Sequence, residues 1–192
     1  DFTVEGDAAK LAATVVSKLK ATIVEKDRER NRFDILFPGG VRARIGMARR
    51  ESHPRPGGKP HITPATIHED LRYRDFTINA MYYDPAEQTV YDYHHGMEDI
   101  RARTLRMIGD PVTRYREDPI RMLRVVRFAA KTGFTIDEET RQPIADLASL
   151  IHNVPSARLF DEMLKLLMSG HAWASLQELR KAGLHRGLLP LL

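Results

Sequence analysis

Two stretches of this 192-residue chain carry charged groups where a plain core element would have no use for them. One is Arg74-Asp75-Phe76-Thr77-Ile78-Asn79-Ala80. The other, further along, is Arg116-Glu117-Asp118-Pro119-Ile120-Arg121-Met122-Leu123-Arg124-Val125-Val126-Arg127-Phe128. Read as a helix from Arg116 to Lys131 at about 100° per residue, the second stretch turns Pro119, Met122, Leu123, Val126, Ala129 and Ala130 toward a core. Glu117, Arg121, Arg124, Arg127 and Lys131 fall on the opposite side. Asp118 lies at the border, three residues before Arg121, so both side chains can point into one space.

A carboxylate beside a guanidinium matches one kind of base edge. Adenine and cytosine each offer an exocyclic amino donor next to a bare ring nitrogen. Asp118 can accept from the amino group while Arg121 donates to the ring nitrogen. Guanine and uracil present a carbonyl beside an N–H there, and a mispaired buried polar group costs roughly 1–3 kcal/mol. Such a pair favours A and C over G and U without a nucleic-acid template. The competing reading is a solvated face of salt bridges, each worth about 0.2–0.5 kcal/mol. Phe128 argues against it, because it projects into the charged arc, where it either stacks on something or marks a domain contact.

The elements that must position these groups divide the chain in two. Residues 1–108 mix strands and helices: a strand at Phe2–Glu5, a helix over Ala8–Lys20, and strands near Thr22–Lys26, Arg32–Phe37 and Val41–Met47. That pattern predicts one small mixed sheet covered by helices, an α+β head. Residues 109–192 form an all-α neck, with helical signals from Pro111 onward and no strands. Asp137 predicts the cap of a helix ending near Pro143, Ser156 precedes a helix over Arg158–Met168 closed by Gly170, and another runs to Gly183. Leu159, Leu164, Leu166 and Leu167 predict an apolar face, and Leu184, Leu188, Leu189, Leu191 and Leu192 are expected to pack on a following helical body. Residues 49–64, with four arginines and lysines among four prolines, predict a basic loop or extended arm.

At this point the chain resembles the class II nucleotidyltransferases, the bacterial poly(A) polymerases and CCA-adding tRNA nucleotidyltransferases. The segments that carry the resemblance are Ala48-Arg49-Arg50-Glu51, Glu69-Asp70-Leu71 leading into Arg74–Ala80, Asp92 with Gly96, and Glu117-Asp118-x-x-Arg121 with Arg124 and Arg127. The resemblance implies a polymerase-β-like head. It implies that Arg74 holds a triphosphate, that Asp75 and Asn79 fix the sugar and pocket wall, and that Asp118 and Arg121 read the base. Glu117 and Arg124 would brace that pair, Arg127 would join the nucleotide pocket, and Asp92 and Gly96 would belong to a flexible catalytic loop. Arg49, Arg50 and Arg158 would contact RNA. Residues 1–80 lean toward the CCA-adding branch and residues 81–192 toward the poly(A) branch, as in a mosaic.

The implied reaction is attack of an RNA 3′-hydroxyl on the α-phosphorus of ATP, or of CTP and ATP for CCA addition, with two Mg²⁺ ions. The partners implied are an mRNA or tRNA 3′ end and these nucleotides. In the family the metal ligands come from an Asp-x-Asp pair after a glycine-rich segment. The opening Asp1-Phe2-Thr3-Val4 resembles the run from the second Asp, so Asp1 is the expected surviving ligand and the first Asp is expected to lie before residue 1. Arg44 stands where many relatives carry a further acidic residue, and is expected to contact phosphate or be solvated. Tyr73 stands where relatives usually carry a second arginine, which would weaken triphosphate binding. An inactive nucleotide- and RNA-binding fragment is the remaining reading. A net charge of +4 suits an RNA partner. No run of sequence is long and apolar enough for a membrane span. Zero cysteines exclude disulfides and thiolate metal sites and fit a cytoplasmic location.

Overall fold

The computed structural model describes residues 1–188, and it is α+β. It divides into two compact units, residues 1–52 with 60–73, and residues 53–59 with Arg74 onward. Leu189, Leu191 and Leu192 lie outside the described residues.

The first unit is built on a four-stranded mixed sheet in the order β1-β4-β3-β2, from β1 (Phe2–Val4), β2 (Thr22–Asp27), β3 (Arg32–Leu36) and β4 (Arg42–Met47). β1 runs parallel to β4, with Phe2 opposite Ile45, and the other pairs are antiparallel. Helix α1 (Ala8–Leu19) starts where the Asp7 side chain accepts from the Ala9 N–H at 2.9 Å. Ala8 and Ala12 on α1 pack against Phe33, Ile35, Ile45 and Met47, so the sheet's inward face is the alternate residues of β3 and β4. Arg42 and Arg44 fall on the other face, as their alternation predicts.

Residues 49–64 are not the loop their prolines suggested. β5 (Arg49–Ser52) and β6 (His61–Pro64) form an antiparallel hairpin, and only the connection at residues 53–60 is irregular. Pro64 is tolerated because it sits at the last pair of a two-stranded ladder, where a missing N–H costs little. Helix α2 (Ile67–Tyr73) follows, opened by a reciprocal cap in which Glu69 accepts from the Thr66 N–H at 3.0 Å and Thr66 Oγ1 from the Glu69 N–H at 3.2 Å.

The second unit starts with a 3₁₀ turn at Thr77–Asn79, the hairpin of β7 (Met81–Asp84) and β8 (Thr89–Asp92), and α3 (Gly96–Ala102). β9 (Thr104–Leu105) leads to α4 (Pro111–Glu117) and α5 (Ile120–Thr132). β10 (Thr135–Ile136) then pairs parallel with β9, so the expectation of no strands beyond Pro111 was wrong by two residues of ladder. α6 (Glu138–Arg141), α7 (Pro143–Leu147), a 3₁₀ segment at Ala148–Asn153, α8 (Ser156–Leu167), α9 (Ala172–Lys181) and α10 (His185–Leu188) complete it. Asp137 caps α6 as expected, accepting from the Thr140 N–H at 3.3 Å. Phe76, Tyr115, Met122, Leu123, Val126, Ile144, Ile151, Leu166, Leu179 and Leu184 fill one core. Of the leucines assigned to the α8 apolar face only Leu166 is fully buried; Leu164 and Leu167 are exposed. No helix among the described residues is long and apolar enough to cross a membrane.

The helix expected over Arg116–Lys131 is two helices. Pro119 forbids the helical conformation to Asp118, whose φ of −144° and ψ of 93° are extended, and α5 restarts after it. Asp118 is therefore a junction residue rather than a point on a helical wheel.

Candidate functional site

The Arg74–Ala80 segment is held from within. Phe76 is fully buried, bridges Met107, and meets the Phe128 ring edge-on at 5.4 Å between centroids. Backbone bonds from the Thr77 N–H to the Arg106 carbonyl and from the Ile108 N–H to the Asp75 carbonyl, 3.1 and 3.0 Å, fix both sides of it. With Phe76 pointing in, its polar neighbours are left at the edge of the core. Phe128 thus packs edge-on against Phe76, and the ring ties α5 to this segment.

Asp75 is buried and accepts from its neighbour's backbone, Phe76 N–H, at 2.8 Å and from Asn79 Nδ2 at 3.3 Å. Arg124 of α5 reaches it with an ion-pair distance of 2.6 Å. Arg74 lies over the Tyr82 ring at 5.6 Å and donates to its hydroxyl. Arg114, which the sequence did not single out, gives one N–H to the Arg74 carbonyl and another to Glu117, both at 3.0 Å. It anchors the last turn of α4 to the Arg74–Ala80 segment.

Asp118, at the α4–α5 junction, is buried and clamped by Arg158 of α8, at 3.1 Å to Oδ1 and 2.8 Å to Oδ2. The same Arg158 donates to the carbonyls of Gly57 and Gly58 at 2.8 and 3.0 Å. Arg158 is thus a structural partner of Asp118, in place of the free surface cation that RNA contact implied. A carboxylate has about four lone-pair positions, so a bidentate arginine leaves two of them open.

Arg121 is only 4% exposed, and its Nε has no hydrogen-bond partner among the described residues. The sequence placed it on the outer arc; the packing places it inside. Burial and the charge of Arg114 push its pKa down to about 10, against the pull of Asp118 and Asp75. A buried guanidinium with an orphaned donor costs stability unless something binds it. Asp75, Asn79 and Arg124 are joined by a hydrogen bond and an ion pair, Arg114 ties the Arg74 carbonyl to α4, and Arg121 feels the charges of Asp118, Asp75, Arg114 and Arg124. Glu117 and Arg124 do not brace the Asp118–Arg121 pair directly, since their partners are Arg114 and Asp75. Arg127 turns toward α8, where its Nε meets the buried Glu162 at 2.6 Å.

Asp92 and Gly96 lie at the start of α3. Asp92 accepts from the Gly96 and Met97 N–H groups at 2.8 and 2.9 Å, which closes the turn around His94 and His95. A Cβ at Gly96 would stand 2.3 Å from the Thr77 carbonyl oxygen. Gly96 is there because α3 presses on the 3₁₀ turn that carries Asn79. Gly96→Ala should destabilise the chain by about 1–3 kcal/mol. A urea titration followed by circular dichroism checks this, and an unshifted midpoint would sink it.

The remaining expected residues belong to the first unit. Asp1 precedes β1 and is exposed. Arg44, expected on phosphate or in solvent, keeps a side chain 43% exposed and donates twice to Asp34, at 2.6 and 2.9 Å, and those bonds hold the Asp34 carboxyl below the usual carboxylate range. Arg49 pairs with Glu51 at 2.8 Å, and Arg50 with Glu69. Among the described residues no group of three or more His, Asp or Glu side chains could hold a metal ion. Asp1 is a hard oxygen donor of the kind Mg²⁺ prefers, but one carboxylate from this chain does not make up a site.

Comparison with known proteins bears on this geometry. Residues 1–106 match the family model described as the poly A polymerase head domain, and residues 133–192 match one described as a probable RNA and SrmB-binding site of polymerase A. Poly(A) polymerase I of Haemophilus influenzae is 44% identical over 163 residues, which are 83% of this chain and 36% of that protein. The chain thus spans little more than a third of that relative's length. The solved structure of a CCA-adding enzyme in apo form II superimposes with a TM-score of 0.84 at 26% identity, over 98% of this chain and 45% of that one. A tRNA nucleotidyltransferase complexed with a primer tRNA and an incoming ATP analog gives 0.79 at 26% identity, over 97% and 52%.

Proposed function

This chain belongs to the poly A polymerase head-domain family, and we propose that it is part of a template-independent RNA 3′-terminal nucleotidyltransferase that adds AMP from ATP to RNA ends. The observation that carries this reading is the buried pair of Asp118 and Arg121. Arg121 keeps an unbonded donor inside the protein and Asp118 keeps lone pairs beyond those Arg158 takes, so the pair is poised for a ligand with one donor and one acceptor. The adenine amino group and N1 are such a ligand.

In the reaction the RNA 3′-oxygen attacks the α-phosphorus, the bond to the β-phosphate's bridging oxygen breaks, and pyrophosphate leaves. This chain's part is to hold the nucleotide in line. Asp118 and Arg121 take the base, Asp75 and Asn79 the sugar side, and Arg74 the triphosphate, while Arg124 orients Asp75 and Arg158 orients Asp118. Enzymes of this family use a divalent metal; bound Mg²⁺ would supply activation of the hydroxyl and neutralisation of the leaving group, with Asp1 the one ligand this chain would offer. The head at residues 1–108, the neck at residues 109–192 and a cytoplasmic location complete the reading.

A CCA-adding enzyme using CTP and ATP is the second reading, favoured by the two structural likenesses and by a base pocket that accepts cytosine as readily as adenine. The test offers each labelled nucleoside triphosphate with Mg²⁺ to a tRNA lacking its 3′ end and to an unstructured RNA. Continued AMP addition to either RNA is expected. Addition that stops after C, C and A on the tRNA alone would replace the first reading by the second. ATP binding that disappears in Asp118→Ala, without incorporation of anything, would mean a binding module and no transferase.

A further inference from the structure

Arg124, Arg127 and Arg158 of the second unit each meet a carboxylate, that of Asp75, Glu162 and Asp118 in turn. Arg74 has a partner of another kind, the phenol of Tyr82. Its guanidinium lies 5.6 Å from the centre of the Tyr82 ring, within the range of a cation–π contact, and donates to the Tyr82 hydroxyl. Both groups are neutral, so neither contact consumes the positive charge.

The backbone builds this grip. The 3₁₀ turn at Thr77–Asn79 lies between the two residues, and the segment doubles back through it far enough for residue 82 to meet residue 74. Tyr82 is itself fixed by its strand. It stands opposite Tyr91 in the β7–β8 ladder, and Tyr91 stacks on Tyr93 with 6.2 Å between ring centroids. Asp92, opposite Met81, closes the turn into α3. At the other end of Arg74, Arg114 holds the backbone carbonyl at 3.0 Å. Arg74 is therefore held both at its main chain and at its guanidinium.

An arginine side chain has many rotamers, and a ligand that seizes a free one must freeze them. A ring that already holds the guanidinium removes that cost. A carboxylate in place of the phenol would orient Arg74 as well, but it would cancel the charge that an anion needs. We propose that Tyr82 is a positioning residue, an aromatic shelf that presents Arg74 to the triphosphate of the incoming nucleotide and so sets the preference for ATP over adenosine. The proposal rests on the assignment of Arg74 to the triphosphate given above, and adds the residue that makes that arginine ready.

The test compares ATP with adenosine by calorimetry in the 192-residue chain, since only ATP has a triphosphate for Arg74 to meet. Tyr82→Leu should raise the Kd for ATP about tenfold and leave that for adenosine unchanged. Tyr82→Phe keeps the ring, loses the acceptor, and should raise it about threefold. If Tyr82→Leu does not fold, the step in Tyr82→Phe carries the test. With Arg74 already changed to Gln, Tyr82→Leu should weaken ATP no further, because the shelf then has nothing to hold. Equal weakening of ATP and adenosine would overturn the proposal, since Tyr82 would then support the pocket as a whole. ATP that binds as well or better without the ring overturns it too, better binding meaning that Tyr82 holds Arg74 back. In either case an ATP preference that Arg74→Gln abolishes keeps Arg74 on the triphosphate. An unaltered chain that binds ATP no more tightly than adenosine sinks the assignment of Arg74, and the shelf with it.

Discussion

Replacing Arg121 by methionine should leave the protein at least as stable as before while stripping it of ATP. Arg121 is almost wholly buried, its Nε has no partner among the described residues, and burial already disfavours its charged form, pushing its pKa down to about 10. Its removal orphans no carboxylate, because Asp118 keeps Arg158 and Asp75 keeps Arg124. Replacing a whole buried ion pair by apolar side chains of similar volume is often neutral or stabilising by about 1–4 kcal/mol, and removing one charge is expected to follow suit only because no opposite charge is left unmet here. For a chain of this size each kcal/mol moves the melting temperature by roughly 2–4 °C. ATP, however, loses a hydrogen bond from a charged donor, worth about 1.5–3 kcal/mol, so its Kd should rise roughly 10- to 150-fold. A thermal scan and an ATP titration of the same preparation decide it. A drop of several degrees would mean that Arg121 is a structural ion-pair member and no base reader.

Its partner should respond with the opposite sign. Asp118→Ala removes the carboxylate that Arg158 holds bidentately and that, with Asp75, offsets the charge of Arg121. Breaking a buried pair from one side typically costs about 3–5 kcal/mol, because the other charge stays buried and unmet. Arg158 is about a quarter exposed and keeps the Gly57 and Gly58 carbonyls, which puts the expected loss at the low end. ATP affinity should fall as well. The double variant is the sharper check: with Arg121 already methionine, Asp118→Ala should cost measurably less than it does alone. Strictly additive losses would show that the two side chains do not act on each other.

The charge pattern around Asp118 and Arg121 was legible in the sequence because mispaired polar groups and the base edges they suit are matters of chemistry rather than of position. The secondary structure of residues 1–47 was equally legible. The runs that make β1 to β4 and α1 are local signals, and their boundaries moved by at most a residue. Where long-range pairing decides, reading failed. The β5–β6 hairpin hides behind its prolines, because the hydrogen bonds that make it a ladder join residues up to fifteen positions apart. The sequence puts Arg158 on RNA and Arg127 in the nucleotide pocket because nothing near them in the chain announces Asp118 or Glu162. Arg114 left one hint, a cation three residues before Glu117 on the same helix face, which would have suggested that pair but not its grip on the Arg74 carbonyl.

Pro119 disfavours a helix through Asp118, a local rule that by itself places Asp118 at a junction. What the sequence alone determined is therefore the kind of chemistry: an acceptor and a donor close together, on an α+β scaffold of recognisable lineage. What only the tertiary structure decided is the state of each group. Packing buried Arg121 by driving Phe76 and Phe128 into one core, spent Arg158 on Asp118 and Arg44 on Asp34, and left Phe160, Met168 and Trp173 outside. Burial and pairing depend on which elements meet, and residues far apart in sequence share no periodicity that could report it.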